Sequence, residues 1–166
     1  MQKSNGMNGY PNFASLLGRR PQAWATMQGS ERYSHLRGVV RFYQTTFGVV
    51  VVTEMMGLPD RGETCASPIF ALHIHEGGRC AGNEADPFAD AGSHFNPAGC
   101  PHPYHAGDLP PLFSAGGYAY SACLTDRFTV EDVLGRVVIL HAAPDDFTTQ
   151  PAGNAGEKIA CGVILG

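Results

Sequence analysis

The chain has 166 residues, enough for one domain with a substantial core. Its 11 Lys and Arg against 15 Asp and Glu give a formal net charge of -4, which argues against a nucleic-acid binder, and 43% hydrophobic residues exclude a disordered chain. Only 16% of residues are charged, while 21 Gly and 12 Pro make up about a fifth of the chain, a balance that leans toward an all-β domain rich in turns.

In chain order, residues 1–20 predict a loosely ordered leader, with room for one helical turn between Pro11 and Gly18, and residues 21–166 the domain itself. The leader lacks the apolar stretch of a signal peptide, and the longest aliphatic run, Val49 to Val52, is far too short to span a bilayer. No membrane association and a cytoplasmic location are therefore expected. Ala23, Ala25 and Met27 alternate with Trp24 and Thr26. Leu36, Val40 and Phe42 alternate with Arg37, Arg41 and Tyr43, so one face of that strand is apolar and the other charged. A β-rich run from Phe47 to Met56 follows a short Thr45-Thr46 turn and predicts a hairpin. Further strands are expected at Ile69 to His75, Tyr118 to Leu124, Val137 to His141 and Ile159 to Leu165. Residues 76–117 are dense in Gly, Pro, Asp, Asn and His and predict one long loop, which in a compact domain is normally functional or disordered. Thr129 to Asp132 carry a capping-box-like signal for a helix of a turn or two, stopped by Gly135. Seven or eight short strands with long connections predict a sandwich or Greek-key barrel.

Five cysteines, at 65, 80, 100, 123 and 161, do not make a disulfide scaffold in a chain of this length, and their odd number leaves at least one thiol outside any bridge within the chain. The histidines are more informative. Of seven, five fall between positions 73 and 105, far more than an even spread gives. Clustering of this kind marks a metal site. His73 and His75, two apart on a strand, share a face. His102, His105 and Asp108 recur every three residues in a loop, and His141 ends an apolar strand. Imidazoles without thiolates suit copper or zinc, a His–His–Asp group completed by one more ligand suits a closed zinc site, and an all-His group suits copper. Two four-coordinate metals want one ligand more than His73, His75, His94, His102, His105, His141 and Asp108 supply, so one imidazole would have to serve both metals. His35 is expected to be an ordinary surface or core residue, and Arg37, Arg41, Arg127 and Arg136 to be solvated on strand faces.

The segments HIHEGGRC (73–80), HFNP (94–97), HAGD (105–108), HAAPDD (141–146) and GNAGEKIACGVI (153–164) resemble, in order, those of copper–zinc superoxide dismutases, and the five-residue step from His75 to Cys80 is closer to the bacterial branch. The resemblance covers roughly residues 22–165. It implies an all-β fold, a flattened Greek-key β-barrel of about eight antiparallel strands with long metal-binding and active-site loops. It implies copper on His73, His75, His94 and His141, and zinc on His94, His102, His105 and Asp108, with His94 as the bridge and as a proton source. It also implies that Asp145 links a copper ligand to a zinc ligand from behind, and that Cys80 and Cys161 form a disulfide. The expected partner is the superoxide anion, the expected role antioxidant, and a homodimer stays open. Where the family has an active-site Arg, this chain has Lys158, beside Glu157 and on a loop that carries Asp145 and Asp146 but no other basic residue. Lys158 is expected to attract and orient the anion. The same departure keeps an alternative in play, a non-enzymatic copper/zinc-binding protein on this scaffold. A zinc hydrolase is a weaker alternative, since HExxH is absent.

Overall fold

The structure is a computed structural model that describes residues 12–60 and 68–166. Cys65 and most of the leader lie outside the described residues. After a 3-10 turn at Phe13–Leu16 come β1 (Ala23–Gly29), β2 (Arg37–Thr45), β3 (Gly48–Met56), β4 (Ile69–His75), β5 (Asp108–Phe113) and β6 (Tyr118–Thr125). A single helical turn α1 (Val130–Val133) precedes β7 (Val137–His141) and β8 (Lys158–Leu165). The strands form one antiparallel sheet in the order β5-β4-β7-β8-β1-β2-β3-β6. Its two edges, β5 and β6, lie against one another, which nearly closes the sheet into a barrel. Among the described residues no helix is long and apolar enough to cross a membrane.

Period-two alternation fills the barrel. Ala23, Ala25, Met27, Val40, Phe42, Val51, Leu72, Ile74, Leu140 and Ile164 meet in one buried cluster. Burying each of the larger ones stabilises the fold by about 1.5–3 kcal/mol. The predicted hairpin closes at Thr46 and Phe47, one residue later than the sequence suggests, with Thr45 opposite Gly48. Gly48, at φ 126°, takes a conformation that side chains disfavour, and Thr45 Oγ1 ties the turn by donating to the Gly48 carbonyl at 2.8 Å. The capping box forms as expected: the Thr129 N–H donates to Asp132 Oδ2 at 2.7 Å, and Asp132 N–H returns the bond to Thr129 Oγ1.

Two expectations are corrected. The predicted loop over 76–117 contains β5, hidden from strand patterning by Pro110 and Pro111. Proline removes a ladder N–H, but β5 is an edge strand that pairs only with β4, where that loss is tolerated. The polar face expected on β2 is also incomplete. Tyr43 is buried with Val50 and Val52 on the outside of the barrel, under Phe13 and Leu16 of the 3-10 turn. Cys80 and Cys161 form a disulfide across 81 residues that ties the loop after β4 to the middle of β8. Cys100 and Cys123 are free and half-buried.

Candidate metal centre

The strand period sets the first histidines. Leu72 and Ile74 of β4 point into the core, so His73 and His75 point out of the barrel. On β7, Val138 and Leu140 take the core, which leaves His141 on the same outer surface. The β4–β7 ladder holds these strands side by side. Outward-facing imidazoles would ordinarily be solvated, yet all three are buried, because the connections over 76–107 and 142–157 fold down over them. His94 joins from the first of these loops through a β-bridge to His75.

Each ring is fixed on one nitrogen and left open on the other. His73 Nε2 donates to Asp145 Oδ2 at 2.8 Å, His75 Nδ1 to the Gly92 carbonyl at 2.9 Å, and His141 Nδ1 to the Gly156 carbonyl at 3.2 Å. These bonds leave His73 Nδ1, His75 Nε2 and His141 Nε2 as lone-pair donors. The last two face each other at 3.3 Å, and His73 Nδ1 and His94 Nε2 are buried with no hydrogen-bond partner. His94 Nδ1 belongs to a second group: it lies 2.8 Å from Asp108 Oδ1 and 3.4 Å from His105 Nδ1. His102 Nδ1 lies 3.1 Å from Asp108 Oδ2 but without hydrogen-bond geometry.

Two sets of four donors result, His73, His75, His94 and His141, and His94, His102, His105 and Asp108. Within each set the donor atoms all lie within 4.8 Å of one another, and His94 is in both. Buried nitrogens with no hydrogen-bond partner that converge on common points are suited to holding a cation. The residues fit two metals joined by one imidazole. The first set is all imidazole, which suits copper, and the second is three imidazoles and a carboxylate, which suits zinc.

The electrostatics agree. Burial pulls the His75 ring down to about 2 and the His141 ring to about 3, and it lowers His73 despite the Asp145 hydrogen bond. Neutral rings keep their lone pairs available at neutral pH. For Asp108 burial works the other way, but the His94 hydrogen bond and the surrounding imidazoles outweigh it and hold the carboxyl below its usual range. Asp145 is likewise held low: hydrogen bonds from His73, the Phe147 N–H and His102 overcome its desolvation.

Asp145 reaches both sets, with His73 on one oxygen and His102 Nε2 on the other, each at 2.8 Å. Gly153, at φ 64°, leaves room for this pairing, since a Cβ there would collide with the Asp145 carboxylate and His102 Nε2. A cavity of about 550 Å³ opens on the first set, walled by His75, His94, His141 and Lys158. His105 also touches it, but His102 and Asp108 do not. The all-imidazole set is thus reachable from solvent and the mixed set mostly closed.

Lys158 lines the cavity, but its acidic neighbour is not one of those the sequence offered. Asp145 is spent on the histidines, Asp146 accepts the Thr148 and Thr149 N–H groups, and Glu157 lies 3.6 Å from Arg32. The carboxylate on Lys158 is Asp86, at 2.6 Å. Sequence reasoning missed other supports as well. Gln150 accepts the His102 N–H and donates back to the His102 carbonyl, at 3.0 and 2.7 Å. Arg127 is exposed, as expected, but it also donates to the carbonyls of Pro103, His105 and Asp108. Arg136 donates to the carbonyls of Asp132 and Glu76 and lies 4.1 Å over the Phe95 ring. His35, as expected, is an exposed residue away from the centre.

Comparison with known proteins gives the same picture. Residues 36–164 match the family model described as copper/zinc superoxide dismutase. The chain is 33% identical over 142 residues to "Superoxide dismutase [Cu-Zn] 2" of Aquifex aeolicus, covering 76% of this chain and 78% of that protein. It is 33% identical over 141 residues to "Superoxide dismutase [Cu-Zn]" of Photobacterium leiognathi, with 76% and 78% covered. The Deinococcus radiodurans protein of the same name is 35% identical over 146 residues, 76% of each chain.

Proposed function

From the premise that this chain belongs to the copper/zinc superoxide dismutase family, we propose that His73, His75, His94 and His141 hold its copper and His94, His102, His105 and Asp108 its zinc. The protein is a superoxide dismutase that uses both metals to convert two superoxide ions and two protons into dioxygen and hydrogen peroxide. The carrying observation is the single imidazole shared by two complete donor sets. Relatives that bear the enzyme's name make the non-enzymatic reading the less favoured one.

Copper, when bound, supplies the one-electron redox chemistry, and zinc the redox-inert charge beside it. The protein's own residues do the rest. His75 and His141, anchored on the Gly92 and Gly156 carbonyls, present fixed lone pairs at the cavity floor. His94 Nε2 has no partner of its own, while the opposite nitrogen faces Asp108, on the side where the zinc would be held. His94 Nε2 is therefore the atom at which a proton can be held and passed to the product peroxide. Asp145 keeps one ligand of each set in a single tautomer by accepting from both. Lys158 places the positive charge that draws the anion down the cavity.

Metal content per chain, measured with superoxide turnover on the same sample, tests the assignment. One copper and one zinc with turnover supports it, and zinc alone with no turnover overturns it. Lys158→Glu should lower the superoxide rate about ten-fold or more, because it reverses the charge that draws the anion. An unchanged rate would remove Lys158 from the site. The cytoplasmic location and antioxidant role carry over as proposals. The Cys80–Cys161 disulfide, a bond favoured in oxidising compartments, makes cell fractionation the test of location. A homodimer is proposed too. The exposed Tyr118, Tyr120 and Leu124 on one face of β6 favour it, and light scattering that finds only single chains would refute it.

A further inference from the structure

Lys158 opens β8 opposite His141 in the β7–β8 ladder, on the wall of the cavity that reaches the all-imidazole set. Its ammonium donates to Asp86 Oδ2 at 2.6 Å and to the Phe88 carbonyl at 3.3 Å. Lys158 is on that wall and Asp86, which it bonds, is not. The carboxylate is held in place from several sides. Its other oxygen accepts the Phe88 N–H at 3.0 Å, and its own N–H donates to Asn83 Oδ1 at 3.0 Å. The loop that carries it is bonded through Cys80 to Cys161, three residues beyond Lys158 on the same strand. The lysine and its acceptor are therefore fastened together twice, once covalently.

An ammonium has three donors and no planar fork, so by itself it aims poorly. Here two of the three N–H groups are taken by fixed oxygens, which leaves one for an anion in the cavity. The same oxygen that aims the ammonium also cancels much of its charge.

We propose that Asp86 is a positioning residue for this reaction, an internal counter-ion that orients Lys158 and competes with the substrate anion for it. The proposal rests on the reading of Lys158 as the group that draws the anion. It predicts how two properties of one carboxylate come apart. Asp86→Asn keeps an oxygen acceptor for the ammonium and removes the negative charge. Because the direct bond from Asp86 to the cavity wall is the one to Lys158, with only a weaker charge interaction reaching His141, most of the effect of that change should require the lysine.

The test measures inorganic azide affinity by optical titration of the metal-loaded protein, alongside the superoxide rate. Both are followed in wild type, Asp86→Asn, Lys158→Met and the double variant. At about 10 mM salt, where the Debye length is about 30 Å, Asp86→Asn should tighten azide and raise the rate about three-fold or more. At about 0.15 M salt the steering part of the rate gain should shrink, while the gain in azide affinity, made at contact distance inside a Debye length of about 8 Å, should largely persist. In the Lys158→Met background, Asp86→Asn should change either quantity by less than about 1.5-fold, since separable effects would instead add. No gain in the single variant, or an equal gain in both backgrounds, would overturn the proposal. A Lys158→Met protein with unchanged azide affinity and rate is a different failure, because it removes the reading of Lys158 beneath the proposal.

Discussion

The two halves of the candidate metal centre are built by different means. The open half draws His73, His75 and His141 from neighbouring strands, and backbone carbonyls of Gly92 and Gly156 fix two of its rings. The closed half takes His94, His102 and His105 from the connection before β5, with Asp108 at the first residue of that strand. It is held by side chains that arrive from elsewhere: Asp145 and Gln150 from the last loop and Arg127 from beyond β6. The sheet gives the open half its geometry before any metal arrives. The closed half is only as ordered as its cross-ties, and so it should be the half that fails first.

The largest break in this comparison comes at the residue common to both halves. His94→Ala removes one donor from each set, and superoxide turnover should fall about a hundredfold or more, with metal analysis no longer finding one copper and one zinc per chain. Retention of both metals and full turnover would show that the sets are independent.

A break of a different kind, in stability rather than turnover, comes at the covalent support of the open half. The loop that supplies the Gly92 carbonyl is stapled to β8 through Cys80. Cys80→Ser should lower unfolding stability by about 4–5 kcal/mol on the chain-entropy model for a loop of this length. Chemical denaturation without reductant measures it, and a loss under about 1 kcal/mol would show that the strands alone hold the loop.

Asp145→Asn touches both halves and separates them by order of failure. Asparagine can no longer accept from His73 and His102 with both atoms of its head group. Losing such a partner typically costs 10–100-fold in metal affinity. Chelator competition should show zinc released more readily than copper. Equal losses for the two metals would contradict the ordering, and unchanged affinity for both would make Asp145 a turn residue.

The smallest effect sharpens the comparison most. Arg127→Ala frees the carbonyls of Pro103, His105 and Asp108 without touching the open half. Zinc affinity should fall about three- to ten-fold while copper affinity stays put. A matching fall in copper affinity would mean that the halves share their support.

The same contrast explains what could be read from the sequence. The residues that come together in the two candidate sets are legible in both halves, because His73 and His75 at strand spacing and His102, His105 and Asp108 at loop spacing carry a signal of their own. Three donors of the open half, His73, His75 and His141, stand on barrel strands, and the alternation in β1 and β2 makes the barrel legible. The supports of the closed half leave no local trace. Gln150 reaches His102 across 48 positions and Arg127 reaches the His105 carbonyl across 22, separations over which residue type predicts no pairing. Arg127 and Arg136 look like any solvated arginine, and only the folded loops bring backbone carbonyls within their reach. β5 was concealed by its prolines, which only an edge strand tolerates.

The central claim is that one imidazole joins a four-imidazole copper site to a three-imidazole, one-carboxylate zinc site. A crystal of the metal-loaded protein, with anomalous scattering recorded at the copper and zinc edges, tests it most directly. The account predicts a copper peak among His73, His75, His94 and His141 and a zinc peak among His94, His102, His105 and Asp108. The peaks should lie about 6 Å apart on opposite nitrogens of His94, given metal–nitrogen bonds of about 2.0–2.1 Å. A single peak, exchanged metals, or two peaks of which only one touches His94 would contradict it.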